Sequence, residues 1–345
     1  MSPQFVDFNG DGRLDIVAGT FDGSPHVAFG GEKGWTQPEQ ILDRNGVRIV
    51  ANQFWNFDTK KWESTRRRDP PSLKLAESEL HVTSAIAFDW EGDGDLDLLL
   101  GDHKQGHVFL VRNEGSSAKP AFASTNEIVQ ANGKPLIVPG TVATLRLVDW
   151  NRDGRLDLAC GTMGDAYNDA EGGGVFMYLN SGTKEAPAFG EPLVLVPPSQ
   201  KTRQTGPTRP DSGIYMDFGD SDGDGDLDLV VGGYSHWFPE IPPLTEQQRI
   251  RVKDLKAQLA VVQKESENLY EALEEAVKGL GEEAAEKKRE VLLATQKETR
   301  VALNKQRAAL QDELDPLEPG AKRKNYVWLY ENQSALAPAK SSETR

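Results

Sequence analysis

The sequence predicts a mainly β protein: a β-propeller of about four visible blades, its ring closed or incomplete, with an inserted antiparallel α-helical coiled-coil hairpin. Three observations carry this expectation. An Asp-rich motif recurs four times, each copy flanked by apolar, strand-like runs. The chain of 345 residues carries 33 Gly and 20 Pro, which punctuate it into many short segments. Between Pro243 and Pro316 the composition switches abruptly to Glu, Lys, Ala and Leu, with apolar residues at alternating three- and four-residue steps.

The repeat runs through Asp7-Phe8-Asn9-Gly10-Asp11-Gly12-Arg13-Leu14-Asp15, Asp89-Trp90-Glu91-Gly92-Asp93-Gly94-Asp95-Leu96-Asp97, Asp149-Trp150-Asn151-Arg152-Asp153-Gly154-Arg155-Leu156-Asp157 and Asp220-Ser221-Asp222-Gly223-Asp224-Gly225-Asp226-Leu227-Asp228. Period-two runs such as Thr144–Val148 lead in, and continuous apolar runs such as Leu98-Leu99-Leu100 lead out. A second apolar strand follows each copy, weakest after the first, near His26–Gly30. One such sheet cannot bury both faces alone, so the blades must stack. The expected organisation is blades over residues 1–243, a helical hairpin over 244–316, a returning strand of the last blade over 317–333 and a disordered tail over 334–345.

Within each loop, oxygen-bearing side chains fall at positions 1, 3, 5 and 9, glycine at 6 and leucine at 8. Carboxylates and amides at 1, 3 and 5 wrap a hard cation, position 7 offers its backbone carbonyl, and Gly at 6 permits the sharp turn. The expected ligand sets are Asp7, Asn9, Asp11, Arg13 and Asp15; Asp89, Glu91, Asp93, Asp95 and Asp97; Asp149, Asn151, Asp153, Arg155 and Asp157; and Asp220, Asp222, Asp224, Asp226 and Asp228. Up to four Ca²⁺ ions are the expected cofactor, because a flexible shell of six to eight oxygens suits Ca²⁺ better than octahedral Mg²⁺. An EF-hand is rejected: its Glu at position 12 is replaced by Ala18, Leu100, Cys160 and Val231, and strands rather than helices flank the loops. The second and fourth loops, with five acids each, should bind most tightly, and the leucine at position 8 should point into the blade.

On these residues the chain resembles the FG-GAP and VCBS repeat proteins, of which the integrin α-subunit propeller is one. The stretch Leu179-Asn180-Ser181-Gly182-Thr183-Lys184-Glu185-Ala186-Pro187-Ala188-Phe189-Gly190 is similar to that group's bacterial members. The resemblance covers about residues 1–238 and 322–333. It implies a calcium-binding scaffold for extracellular or periplasmic recognition or adhesion, with a protein or carbohydrate ligand. A carbohydrate-active enzyme, a polysaccharide lyase or hydrolase, is the alternative it allows. Four loops are fewer than the roughly seven blades of complete family propellers.

In the helical segment, Val252, Leu255, Leu259, Val262, Leu269, Leu273, Ala276 and Leu280 form the first seam, with Ser266 filling one position. A poorer seam runs through Leu292, Thr299, Leu303, Leu310 and Leu314. Thr245 followed by Gln248 makes a capping-box start, and Gly279-Leu280-Gly281 makes the bend. The arm either zips only to itself or docks a partner or a second copy. A net charge of −15 argues against a nucleic-acid partner, and no apolar run of about 18 residues provides a membrane span. Met1–Phe5 shows no leader, and the chain starts almost inside its first motif, so missing upstream sequence is expected, a true cytoplasmic start being the other reading.

Other chemistry is sparse. His103 and His107 are expected as turn histidines, and the single cysteine, Cys160, as a buried filler. Trp55, Trp62, Trp90, Trp150 and Trp237 could line a sugar-binding surface, although packing accounts for Trp90 and Trp150. The connection holding Trp55–Asp58 and Arg66-Arg67-Arg68 is the best place for a distinctive binding loop, and Asp165–Asp169 forms a second long turn.

Overall fold

The computed structural model describes residues 3–64, 81–164, 172–199 and 203–333. Arg66–Arg68, the turn at Asp165–Asp169 and the tail at 334–345 lie outside the described residues. The chain is mainly β, with many antiparallel sheets and two helices, in two compact units.

The first unit holds four principal sheets that repeat one plan. Strands β1 (Gln4–Val6), β2 (Asp15–Gly19) and β3 (Pro25–Ala28) are followed by a small ribbon of β4 (Gly30–Gly31) and β5 (Gly34–Trp35), then by β6 (Glu39–Gln40), giving the order β1-β2-β3-β6. A separate hairpin, β7 (Gln53–Asn56) and β8 (Lys61–Ser64), comes next. The second sheet, from β9 (Val82–Phe88), β10 (Asp97–Asp102), β11 (Val108–Val111) and β12 (Glu127–Ile128), has the order β12-β11-β10-β9. After a ribbon of β13 (Gln130–Ala131) and β14 (Lys134–Pro135), the third sheet runs β15 (Thr144–Val148), β16 (Asp157–Gly161), β17 (Val175–Tyr178) and β18 (Leu193–Val196) in sequence order. The fourth has three strands: β19 (Ser212–Gly219), β20 (Asp228–Trp237) and β21 (Lys322–Tyr330).

The Asp loops join the first two strands of every sheet in one register. The residue before the first aspartate faces the ninth loop position each time: Val6 opposite Asp15, Phe88 opposite Asp97, Val148 opposite Asp157 and Gly219 opposite Asp228. Side chains alternate between faces along a strand, so a shared register aims the four loops alike relative to their own sheets.

Packing runs in chain order. Strand β2 packs on β9, β9 on β15, and β15 on β19, and no comparable packing of the fourth sheet on the first closes a ring among the described residues. Three apolar layers fill the junctions. Val17, Val27, Leu98, Leu100 and Phe109 belong to the first layer, Leu99, Leu110, Leu145, Leu158 and Phe176 to the second, and Ile214, Met216, Val231 and Met177 to the third. Leu98 and Leu100 thus serve one layer and Leu99 the next, which is why β10 is buried along its whole length. Burial on both faces reads in sequence as an unbroken apolar run rather than an alternation. Each such leucine contributes roughly 1.5–3 kcal/mol of burial energy.

The second unit contains α1 (Glu246–Val277) and α2 (Glu282–Leu314). The Thr245 side chain accepts from the Gln248 N–H at 3.3 Å, and the Gln248 amide oxygen accepts from the Thr245 N–H at 2.9 Å, completing the capping box. The helices pack through Val252, Leu255, Val262, Leu303, Leu310 and Leu314, with Arg251 to Glu313 at 2.7 Å beside them. The seam departs from the heptad expectation at its poorer end. Val277 is buried in place of the exposed Ala276, Leu280 is 46% exposed, and Thr299 faces outward. Alternating three- and four-residue steps drift around a 3.6-residue helix, and near the bend the apolar stripe has moved one position.

Candidate metal centre

Each loop is first a knot of its own hydrogen bonds. The first aspartate accepts the N–H of position 6: Gly12 on Asp7 at 2.8 Å, Gly94 on Asp89 at 3.1 Å, Gly154 on Asp149 at 3.0 Å and Gly225 on Asp220 at 3.0 Å. The carboxylate at position 5 accepts the N–H of position 7, as Asp11 does from Arg13 at 2.9 Å and Asp224 from Asp226 at 2.9 Å. Such turns curl the backbone around the carboxylates. They also demand left-handed geometry at position 6, where Gly12, Gly94, Gly154 and Gly225 have φ between 86° and 93°. Position 4 is left-handed too, and Arg152 alone holds it without being glycine, at φ 58°.

The aspartate at position 9 fastens loop to sheet. One of its oxygens accepts the N–H of position 2 and the other an N–H from the far end of the third strand. Asp97 takes Trp90 at 2.9 Å and Asn113 at 2.7 Å, Asp157 takes Trp150 at 3.1 Å and Asn180 at 2.7 Å, and Asp228 takes Ser221 at 2.8 Å and Asn332 at 2.9 Å. Asp15 takes Phe8 at 2.9 Å and Gly30 at 2.7 Å in the first copy. These carboxylates are 0–1% exposed. Because they occupy the inward place, the leucine at position 8 turns out: Leu14 is 58% and Leu156 37% exposed, against the expectation that it points into the blade. Leu96 and Leu227 are half-buried, Leu96 against the first layer.

The four loops differ in how their charge is answered. In the third, the Arg155 guanidinium sits on the Asp153 carboxylate, and the Asn151 amide donates to the same group at 2.9 Å. In the first, the Asn9 amide donates to Asp11 at 3.4 Å, while Arg13 reaches toward Glu32. In the second, Glu91 is drawn to Arg112 at 2.6 Å, leaving Asp89, Asp93 and Asp95. In the fourth, ligand oxygens of Asp220, Asp222 and Asp224 all lie within 4.8 Å of one another. Asp226 beside them is 4% exposed, and neither of its carboxylate oxygens has a hydrogen-bond partner. Its counterpart Asp95 is 5% exposed with one oxygen unpartnered.

Burial, reinforced by Asp93, Glu91 and Asp89, raises the Asp95 pKa, and burial with Asp224 and Asp228 raises that of Asp226. Burial pushes Asp97 up to about 7 despite its two backbone donors, and lifts Asp157 as well. Asp228 goes the other way, because the Ser221 hydroxyl and two backbone N–H groups hold its charged form. Asp95 and Asp226 thus bury carboxylate oxygens that no proton donor reaches, beside other carboxylates, and such donor sets could hold a hard cation. The fourth donor set could hold such a cation most readily and the third, where Arg155 sits on Asp153, least.

The stretch at 179–190 proves to be one of two copies of a second device, a repetition the sequence reading missed. Asn113 and Asn180 each start an arm of the form Asn-x-Gly ending in Pro-Ala-Phe. Asn113 Oδ1 accepts Gly115 at 3.1 Å and Ala121 at 2.8 Å, and Asn180 Oδ1 accepts Gly182 and Ala188 at 3.0 Å each. The arm ends by laying its phenylalanine on the position-2 aromatic of the preceding loop: Phe122 on Phe8 at 6.0 Å and Phe189 on Trp90 at 6.3 Å. A comparison of Asn113–Phe122 with Asn180–Phe189 would have found it.

Turn positions also account for other singled-out residues. His107 Nδ1 pairs with the buried Asp102 at 2.9 Å, and Asp102 also accepts the N–H groups of Lys104, Gln105 and Gly106. Cys160 is fully buried, and burial pushes its thiol up. No helix among the described residues is long and apolar enough to cross a membrane.

Residues 89–160 match the family described as FG-GAP-like repeat. That span runs from the first aspartate of the second loop to the end of the third loop's outgoing strand, so the chain carries an FG-GAP-type repeat at the place where two copies adjoin. Neither a curated protein nor a solved structure matches the chain significantly.

Proposed function

We propose that the chain is a calcium-braced recognition scaffold whose four principal sheets are blades of a propeller. The observation that carries the calcium reading is Asp226, buried and without a hydrogen-bond donor beside the Asp220, Asp222 and Asp224 cluster. Those four residues and Asp228 would hold the ion in the fourth loop, and Asp89, Asp93, Asp95 and Asp97 in the second. Bound Ca²⁺ would neutralise carboxylates that otherwise repel one another and would tie the loop into one rigid corner. The first and third loops, partly answered by Asn9, Asn151 and Arg155, rank below. The blade reading is supported by the common loop register and by face-to-face packing in chain order through β9, β15 and β19.

The role follows from the division of labour. Loop carboxylates are committed to holding the sheets, so recognition falls to the surfaces the sheets carry. An extracellular or periplasmic setting goes with the proposal, since calcium is abundant there. Isothermal titration of the metal-free protein with Ca²⁺ is the test, with Mg²⁺ as control. Uptake of one to four Ca²⁺, strongest at the fourth and second loops, is expected, with a stability gain of about 2.7 kcal/mol per site at a hundredfold excess over Kd. No uptake at millimolar Ca²⁺ would sink the reading. Calcium-dependent turnover of a polysaccharide would replace it with the carbohydrate-active enzyme.

A further inference from the structure

At the end of the first two sheets opposite their Asp loops, aromatic rings from separate elements meet. The loop at 7–14 enters β2 at one end, and the turn carrying Phe21 leaves it at the other. Phe21 lies 6.4 Å from Trp55 and 6.2 Å from Trp62, and the two tryptophans, paired across β7 and β8, are 5.8 Å apart. The series continues from Trp62 to His81 at 4.5 Å and from His81 to His103 at 4.2 Å, stacked. Phe21 is 64% exposed and Trp62 39%. A cross-strand Trp pair accounts for a stable hairpin. It does not account for a phenylalanine from another turn held in solvent against that pair.

The backbone under these rings is fixed. The Trp55 N–H donates to Asp22 O at 2.8 Å and the His103 N–H to His81 O at 2.9 Å. Beneath, Asp22 is 3% exposed and takes Arg48 at 2.7 Å together with Ser24 and Thr20. On the other face of the hairpin, Glu63 accepts the Asn56 amide at 2.9 Å and the Thr59 hydroxyl at 2.6 Å, and these donors, Thr59 first, hold its carboxyl below the usual range. Asn56 and Glu63 stand on the face of the β7–β8 hairpin opposite Trp55 and Trp62, so they brace the turn from behind and leave the ring surface apolar.

Size and charge choose the occupant. Side chains of this kind bury about 150–250 Å² each, so the exposed parts of Phe21 and Trp62 offer on the order of 200–300 Å². A stable protein interface needs about 800 Å² from each partner. One or two pyranose rings are the right size, since their apolar C–H faces stack on exposed aromatic rings. The net charge of −15 disfavours anionic ligands. We propose that the Phe21–Trp55–Trp62 surface binds a neutral saccharide, one or two sugar units at a time. The proposal takes up the recognition role above and locates it at a site that needs no cation.

The full chain, with and without Ca²⁺, is to be titrated with cello-, xylo-, manno- and chito-oligosaccharides while tryptophan fluorescence and heat are followed. Saturable binding of at least one series is expected, weakened tenfold or more in Phe21→Ala and in Trp62→Ala, with unchanged melting of the Phe21→Ala protein. Absence of binding for every series at ten millimolar, or binding indifferent to both substitutions, overturns the proposal. So does a crosslinked protein partner lost in the same two variants. Calcium uptake in the same titrations reports on the scaffold separately, so saccharide binding can fail while the calcium reading stands, and the reverse.

Discussion

Asp226 combines near-complete burial with two carboxylate oxygens that no donor reaches, while Asp224, Asp228 and Asp222 lie close enough to raise its pKa. Substituting Asp226→Asn should therefore raise the melting temperature of the chelator-treated protein and lower calcium stoichiometry or affinity at the fourth loop. Parallel melts and titrations check both halves, and a variant that binds Ca²⁺ unchanged would remove Asp226 from the site. The same chemistry sets a pH dependence. Burial holds the proton on Asp97 in the folded state up to about 7 and shifts Asp95, Asp157 and Asp226 in the same direction. In that window the folded state binds more protons than the unfolded, so stability falls as pH rises. His236, held low by burial and Arg323, acts in the opposite sense below its ordinary 6.5. With Asp97 titrating near 7, far from its ordinary value, against one imidazole, metal-free protein should melt higher at pH 5.5 than at 7.5, and saturating Ca²⁺ should abolish that gain. Thermal scans in chelator at the two pH values decide it.

Elements repeat because two small devices repeat. The position-9 aspartate ties positions 2 and 9 to the end of the third strand, and the Asn-x-Gly arm brings a phenylalanine back over the preceding loop. The aspartate was legible as a ligand position, yet its two-sided grip on backbone N–H groups depends on a third strand whose distance in sequence varies. The arm was legible only as a family-like stretch at 179–190, because its partner Trp90 belongs to another sheet. Asn180 is 2% exposed and serves two N–H groups, so Asn180→Ala should cost about 2–4 kcal/mol. Urea melts measure that cost, and a loss under 1 kcal/mol would mean the arm holds itself without it. In the helices, the capping box at Thr245 was readable from local spacing alone, whereas the drift from Ala276 to Val277 near the bend was not.

For the whole molecule, the helical unit and the sheet unit each have their own apolar core. Replacing residues 245–315 with a short flexible linker should leave the sheet unit folded, with circular dichroism losing helix and keeping strand signal. Sedimentation of the shortened and full chains at equal concentration then tests whether the hairpin docks a second copy. Fewer copies per assembly in the shortened protein support that role, and identical stoichiometry assigns the seam to the hairpin alone.

The sequence by itself determined the repeat, the β character, the two helices and the FG-GAP likeness, because each is written in local spacing: carboxylates every second residue, glycine where φ must be positive, and apolar residues at period two or near 3.5. Tertiary structure decided what local spacing cannot carry. It turned Leu14 and Leu156 outward by giving the inward place to Asp15 and Asp157, and it answered Asp153 with Arg155 while leaving Asp226 without a donor. It also gathered Phe21 from a turn and Trp55 and Trp62 from the β7–β8 hairpin onto one surface. Those outcomes depend on which residues meet across sheets, and charge balance and ring contacts are properties of meetings rather than of neighbours in sequence.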